Sequence, residues 1–116
     1  MLPAAHRMTR RDDFGRAVRS GRRAGRPTLV AHLLERPDSH EPARVGLVVS
    51  RTVGNAVVRN RVSRRLRHQV RSRLPRLAPG SLLVLRAQPP AAAAPSGRLG
   101  EDLDRVLARV LAPVGA

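Results

Sequence analysis

The sequence lacks cysteine and lysine, and its one aromatic residue is Phe14. Without cysteine the chain can form neither disulfides nor thiolate zinc sites, and it has no cysteine nucleophile. The apolar runs are short, such as Val45–Val49 and Leu82–Leu85, which excludes a transmembrane helix. The first residues lack the apolar stretch of a secretory signal. We therefore expect residues 1–116 to form one soluble, cytoplasmic domain with an ordered core at about 7–111.

Acidic residues are missing from the middle of the chain, where the basic residues concentrate. All 23 basic residues are arginines; they face eight acidic residues and give a net charge of +15. No Asp or Glu occurs between Glu41 and Glu101, whereas nine arginines lie between Arg51 and Arg76. One-sided charge of this kind is typical of a protein that binds a polyanion. Guanidinium groups bind phosphate oxygens in pairs, which suits a nucleic acid.

Hydrophobic periodicity predicts helices and strands in the order αβββαβα. The first helix is expected to end at Ser20, and Thr9 and Asp12 have the spacing of a capping box at its start. Buried strands are predicted at 28–34, 44–50 and 81–87, and residues 22–27 are predicted to form a turn or a short edge segment. Two prolines in Glu35–Pro42 indicate a hairpin loop, and three in Pro89–Gly97 indicate a Pro/Ala-rich loop at about 89–98 without regular helix.

Two later helices carry amphipathic patterns. The longer is predicted from Asn55 to Leu74, before Pro75. Its apolar residues recur every four positions on one face: Val58, Val62, Leu66 and Val70. Its polar residues lie opposite: Asn60, Arg61, Arg64, Arg67, His68 and Arg71. The last helix is expected at Leu99–Leu111, with Asp102 and Arg105 on its exposed side.

The run VGLVVSRTVGNAVVRNRVSRRLR at Val45–Arg67 resembles the signature of the bacterial ribonuclease P protein component. That family has an Arg-Asn-Arg helix, matched at 59–61, and often a preceding Gly-Asn-Ala-Val turn, matched at 54–57. An Asp-Phe pair near its N-terminus is matched by Asp13 and Phe14. The resemblance covers residues 7–111.

The resemblance implies an α+β fold, a two-layer α/β sandwich similar to the second domain of a small-subunit ribosomal protein. A four-stranded sheet would be packed by helices, with the Arg-Asn-Arg helix in a left-handed βαβ crossover that departs from the usual right-handed rule. The implied role is the accessory protein subunit of an endoribonuclease whose RNA subunit removes the 5′ leader of precursor tRNA. The partners are the catalytic RNA and precursor tRNA, with no membrane and no protein partner. Mg²⁺ would be bound by the RNA subunit, and the protein would supply no catalytic residue.

The resemblance also implies a surface for the catalytic RNA. Its residues lie on the long helix or just before it: Arg51, Gly54, Asn55, Arg59, Asn60, Arg61, Arg64, Arg65 and Arg67. Arg51 stands where the family usually has lysine and keeps the charge. Asn55 can contact RNA, act as the helix N-cap, or do both.

A cleft for the single-stranded leader is the second implied surface. Its candidate residues lie on the first helix and the first long strand: Phe14, Arg16, Val18, Arg19 and His32. Relatives carry aromatic residues where Val18 and His32 stand here. Because valine cannot stack on a base, leader contacts should depend more on apolar packing and arginines. Phe14 as plain core and His32 as an ordinary strand residue remain open alternatives.

Other functions of a basic domain fit less well. An autonomous nuclease is disfavoured because the histidines are scattered and the basic half has no carboxylate pair for a metal. A helix-turn-helix is disfavoured because strands flank the basic helix, and a membrane-surface helix because interfacial aromatics are missing. A ribosomal or other structural RNA-binding protein without enzymatic role shares the implied fold and stays open.

Overall fold

The computed structural model of the chain describes residues 2–113, which contain three α-helices and a four-stranded sheet. The helices are α1 (Arg11–Ser20), α2 (Ala56–Arg71) and α3 (Ser96–Val110). The strands are β1 (Arg22–Gly25), β2 (Leu29–Leu34), β3 (Arg44–Val48) and β4 (Leu82–Ala87). Short 3₁₀ turns occur at Ala4–His6, Leu74–Arg76 and Pro89–Ala93. The predicted α+β class and the order αβββαβα are confirmed.

The sheet has the strand order β1-β2-β4-β3. β2 pairs antiparallel with both β1 and β4, whereas β3 pairs parallel with β4. The predicted hairpin at Glu35–Pro42 is therefore wrong, because β4 lies between β2 and β3. Local turn residues mark a connection but do not say which strands it pairs. β3 is also shorter than predicted, and it is a half-buried edge strand.

The connection from β3 through α2 to β4 is left-handed. Arg44 N–H donates to Ser81 O at 2.9 Å, so the Arg44 backbone faces β4. Its register partner Leu82 belongs to the α1 face of the sheet, while α2 packs on the other face. When the sheet is viewed with β3 running upward and α2 in front, the Arg44 side chain therefore points away from the viewer. The backbone N–H and C=O of an L-residue in this orientation point to the left, so β4 lies to the left of β3. In a right-handed connection β4 would lie to the right. The handedness implied by the family resemblance is confirmed.

Alternate strand residues supply two apolar layers, as the two-residue period of a strand requires. On one face, α2 and α3 pack over Leu29, Ala31 and Leu83. The predicted stripe of α2 is confirmed: Val62, Leu66 and Val70 are buried and Val58 packs against them. On the other face, α1 covers a smaller cluster of Met8, Ala17, Leu82 and Val84 with Phe14 against it. This two-sided packing leaves the outer face of α2 free.

Three helix boundaries differ from the predictions. α1 begins at Arg11 after Arg10, with no side-chain cap, so the Thr9 capping box does not form. α2 ends at Arg71, and Pro75 lies in the following 3₁₀ turn. α3 begins at Ser96, and the Pro/Ala-rich segment before it includes a 3₁₀ turn. Proline is tolerated in the first turn of a helix, where its missing N–H has no intrahelical partner.

Asp102 is buried, so its predicted exposed position on α3 is wrong. Its Oδ2 accepts hydrogen bonds from Thr28 N–H at 3.2 Å and Thr28 Oγ1–H at 2.7 Å. Arg26 and Arg98 each place Nε 3.6 Å from Oδ1. The turn between β1 and β2 covers this flank of α3, a long-range contact that helical periodicity does not reveal. The carboxylate ties the turn to α3.

Candidate nucleic-acid interface

The start of α2 is fixed by a side-chain cap and a close backbone approach. Asn55 Oδ1 accepts a hydrogen bond from Val58 N–H at 3.0 Å, which satisfies a free amide of the first turn. A Cβ at Gly54 would lie 2.8 Å from Val58 Cβ, so only glycine fits against the helix there. The N-cap interpretation of Asn55 is confirmed, and its contact with RNA stays a prediction. Arg51 is exposed in the turn before the helix.

The outermost row of α2 is exposed and has no acidic residue. We call this row the crest: Val57, Asn60, Arg64, His68 and Arg71. Val57 is 73% exposed, so an apolar side chain stands among the polar ones. Asn60, Arg64 and Arg67 line a shallow depression with Val57. The crest can therefore offer both charge and a small apolar contact to a ligand.

A second row of α2 flanks its buried stripe on the side of β3: Arg59, Ser63 and Arg67, all half-buried. Ser63 and Arg67 line a groove of about 360 Å³ together with Phe14 and Gly46. A Cβ at Gly46 would collide with the Phe14 ring, so the glycine lets the ring lie against β3. Arg67 thus borders both the crest and the Phe14 groove. Gly46 and Ser63 were missed by sequence reasoning because neither carries a distinctive signal alone.

The third row of α2 is bound to the segment before α3. Arg61 Nη2 donates to Ala92 O at 3.2 Å, and Arg65 Nη1 donates to Ala94 O at 2.8 Å. Gln69 Nε2 continues the row by donating to Ser96 Oγ at 2.8 Å. Arg61 was predicted opposite the apolar face, but it lies on a flank and is half-buried. The arginines predicted as one set are therefore divided between free and anchored side chains.

A cleft of about 420 Å³ lies between α1 and the sheet. Phe14, Val18 and Arg19 line it from α1, and Val48, Val84 and Arg86 line it from the strands. Three of the five predicted leader residues are thus brought together, while Arg16 is exposed outside the lining. Arg86 was missed, although the alternation along β4 places it on the same face as Val84. Phe14 borders both this cleft and the groove toward Arg67.

His32 is buried on the α1 face of β2 and does not line the cleft. Its side chain is on the same face as the cleft residues, but the residue is 6% exposed. Nδ1 has no hydrogen-bond partner among the described residues. Burial lowers the pKa of His32, and the charges of Arg86 and Arg23 lower it further. The ring is therefore part of the packing between α1 and β2, which favours the strand interpretation over exposure to a base.

Within residues 2–113, no group of three or more His, Asp or Glu side chains could hold a metal ion. In the same part of the chain, no helix has the length and apolar character needed to cross a membrane. The arginine, amide and hydroxyl groups of this surface can form hydrogen bonds, and Phe14 offers a ring for stacking.

Comparisons with known proteins agree on one family. A family model described as Ribonuclease P matches residues 2–111. The chain is 56% identical over 115 residues to the ribonuclease P protein component of a Nocardioides species, covering 98% of both chains. It is 52% identical over 118 residues to that of Streptomyces avermitilis, covering 96% of both. Among solved structures, the Staphylococcus aureus RNase P protein matches with TM-score 0.80 and 24% identity over 93% of this chain and 99% of that one. The RNase P protein of Thermotoga maritima matches with TM-score 0.75 and 22% identity, over 90% and 96%.

Proposed function

Since the chain belongs to the ribonuclease P protein family, we propose that it acts as the protein subunit of ribonuclease P. In this role it binds the catalytic RNA and the 5′ leader of precursor tRNA, and it assists endonucleolytic removal of the leader. The observation that carries the proposal is α2, whose apolar face is buried and whose outer face presents arginines without a neighbouring acid. Folded RNA is recognised through backbone and shape, which such a face suits.

The catalytic RNA is assigned to α2 and the turn before it. The free arginines Arg64 and Arg67 contact phosphates directly, and Arg51 and Arg59 extend the charged surface at one end. Asn60 on the crest can both donate and accept hydrogen bonds, which suits ribose as well as phosphate. Asn55 and Gly54 position the helix start beside the RNA. Arg61 and Arg65 contribute from their anchored flank.

The leader is assigned to the cleft between α1 and the sheet. Phe14 offers a face for stacking at the place where the cleft meets the Arg67 groove. Val18 adds an apolar surface that is 36% exposed, and Arg19 and Arg86 supply charge for the leader phosphates. Arg16 contributes at the rim. His32 does not contact the leader in this assignment; it is packed on the α1 face of β2 and helps to hold the cleft residues in place.

The protein's own residues in this scheme bind and orient RNA. The hydrolysis is assigned to the RNA subunit and its Mg²⁺, which supplies the metal-assisted attack by water. The described residues offer no ligand cluster for that ion. The catalytic step is proposed for the RNA subunit, and the side chains of this protein are proposed to hold and orient the RNA partners.

A competition experiment separates this function from that of a structural RNA-binding protein. The purified chain is mixed with equal amounts of a bacterial ribonuclease P RNA and a ribosomal RNA fragment of similar length, and the bound RNA is sequenced. We expect strong enrichment of the ribonuclease P RNA. Recovery of ribosomal RNA without that enrichment would favour the structural role and reject the proposed one.

Replacing Phe14 by leucine tests the leader cleft. Leucine keeps an apolar side chain over Gly46 but removes the ring, and stacking of one base is worth about 1–3 kcal/mol. We expect the reconstituted holoenzyme to bind precursor tRNA roughly tenfold more weakly, with its affinity for mature tRNA unchanged. Val18→Ala, which removes no ring, should change precursor affinity less. An equal loss for precursor and mature tRNA would place Phe14 outside the leader site.

A further inference from the structure

The anchored flank of α2 forms a pocket with the first residue of α3. This pocket has a volume of about 330 Å³ and is lined by Arg61, Arg64, Arg65, His68 and Ser96. Building on the proposed function, we propose that it binds one phosphate of the RNA backbone, and that the Pro/Ala-rich segment at 89–95 positions the arginines that hold it. The segment would thereby belong to the RNA interface, although it carries no charge itself.

Backbone carbonyls orient two of the arginines before any RNA arrives. Ala92 O accepts from Arg61, and Ala94 O accepts from Arg65 at 2.8 Å. Each guanidinium has five N–H donors and uses one of them in these contacts. The remaining donors keep a defined direction, so less side-chain freedom is lost when a phosphate binds. Arg64, in contrast, is exposed and makes no hydrogen bond within residues 2–113.

Ser96 has a hydroxyl proton that is free for an acceptor. Its Oγ accepts from Gln69 Nε2 at 2.8 Å, and a hydroxyl that accepts one bond can still donate its own hydrogen. The neighbouring His68 is exposed and can donate from a ring nitrogen. Every side chain that lines the pocket can therefore donate a hydrogen bond to a ligand.

The charge of the lining favours an anion as the ligand. Arg64 and Arg65 follow Arg61 by three and four residues on α2, spacings at which like charges repel. No acidic residue lines the pocket to relieve that repulsion, and the α3 carboxylate of Asp104 pairs with Arg73 and Arg76, which follow α2 in the chain. A phosphate supplies the missing negative charge and accepts several of the free donors at once.

Arg65→Lys in the full-length chain tests the pocket, because lysine keeps the charge but loses the planar fork. We expect binding of the ribonuclease P RNA to weaken about fivefold while the salt dependence of binding stays unchanged. Arg105→Lys, an exposed arginine of α3 outside the pocket, is the matched control and should bind like the wild type. Thermal unfolding of both variants shows whether the folded fraction is intact under the binding conditions.

Titration with inorganic phosphate tests directly whether the same pocket binds an anion. Titrated into the full-length chain, it should shift the amide resonances of Arg65, His68 and Ser96, and these shifts should shrink in Arg65→Lys. The inference is overturned if Arg65→Lys binds RNA as tightly as Arg105→Lys, or if its loss merely follows a lower folded fraction. If the wild type shows no preference for ribonuclease P RNA, the proposed function fails. Comparing the affinities of Arg65→Lys and Arg105→Lys for any folded RNA that the protein binds still tests whether the pocket holds a phosphate.

Discussion

Replacing Arg64 and Arg67 together by alanine is expected to weaken binding of the ribonuclease P RNA about 100-fold. Neither side chain hydrogen-bonds to another part of residues 2–113, so both guanidinium groups are available to phosphates. A hydrogen bond to a charged group contributes about 1.5–3 kcal/mol, and losing two at the lower bound corresponds to about 3 kcal/mol. Titration of labelled RNA with the protein at several salt concentrations measures the effect.

The salt dependence distinguishes direct contacts from indirect effects. Each phosphate contact contributes about 0.7–0.9 to the slope of log K against log salt. The double variant should therefore lower the slope by about 1.5, while Arg105→Ala with Arg109→Ala, exposed on α3, removes the same charge with a smaller effect. Equal losses for the two pairs would mean that net charge, rather than the α2 surface, determines binding.

Arg64 and Arg67 are a better pair to replace than Arg61 and Arg64, although the sequence pattern places all three arginines on the polar side of the helix. Arg61 holds Ala92 O, so its replacement also loosens the segment before α3. A loss of affinity after replacement of Arg61 and Arg64 could therefore come from a lost phosphate contact or from a displaced backbone, and the measurement would not separate the two. The structure thus selects the pair whose replacement leaves the fold unchanged.

Replacing Asp102 by alanine is expected to lower the free energy of unfolding by about 3 kcal/mol. The change leaves Thr28 N–H and Oγ1–H buried without their acceptor, and an unpaired buried polar group costs about 1–3 kcal/mol. It also removes the anion between Arg26 and Arg98, whose partly exposed side chains contribute less. Denaturant unfolding measures the loss, and Glu101→Ala, an exposed neighbour, should stay within about 0.5 kcal/mol of the wild type.

The same carboxylate makes stability sensitive to acid. Burial raises the pKa of Asp102, but the hydrogen bonds from Thr28 and the charges of Arg98 and Arg26 more than offset this, so its pKa lies below the ordinary 3.8. A group with a depressed pKa stabilises the fold above its unfolded value, and that contribution is lost as the pH falls through its folded value. Wild-type stability should thus decline below about pH 4, and Asp102→Asn should decline less. Identical acid profiles would contradict this role of the carboxylate.

The elements themselves could be predicted because their signals are local. The four-residue apolar spacing of α2 and its Asn55 cap depend on neighbours along the chain, and the structure reproduces both. The position of β4 between β2 and β3 could not be predicted from turn residues, since it depends on pairing between distant segments. Asp102 was misplaced for a similar reason, because the β1–β2 turn that covers it lies far away in sequence.

The candidate site was predictable in its residues but only partly in its arrangement. A helical projection separates apolar from polar faces, yet it does not reveal that Arg61 and Arg65 meet carbonyls of the segment before α3. Likewise, alternation along β2 places His32 on the face of the cleft, but its burial depends on α1 packing over the sheet. The distinction between free and anchored arginines therefore required the three-dimensional contacts.

The central claim is that this chain assists an RNA that performs the chemistry. Its most direct test is cleavage of precursor tRNA by a bacterial ribonuclease P RNA at low magnesium, with and without the wild-type protein. The account predicts little cleavage by either component alone and accurate removal of the leader when both are present, with the Arg64 and Arg67 double variant restoring cleavage only at much higher protein concentration. Cleavage by the protein after exhaustive removal of nucleic acid, or no stimulation of the RNA, would contradict it.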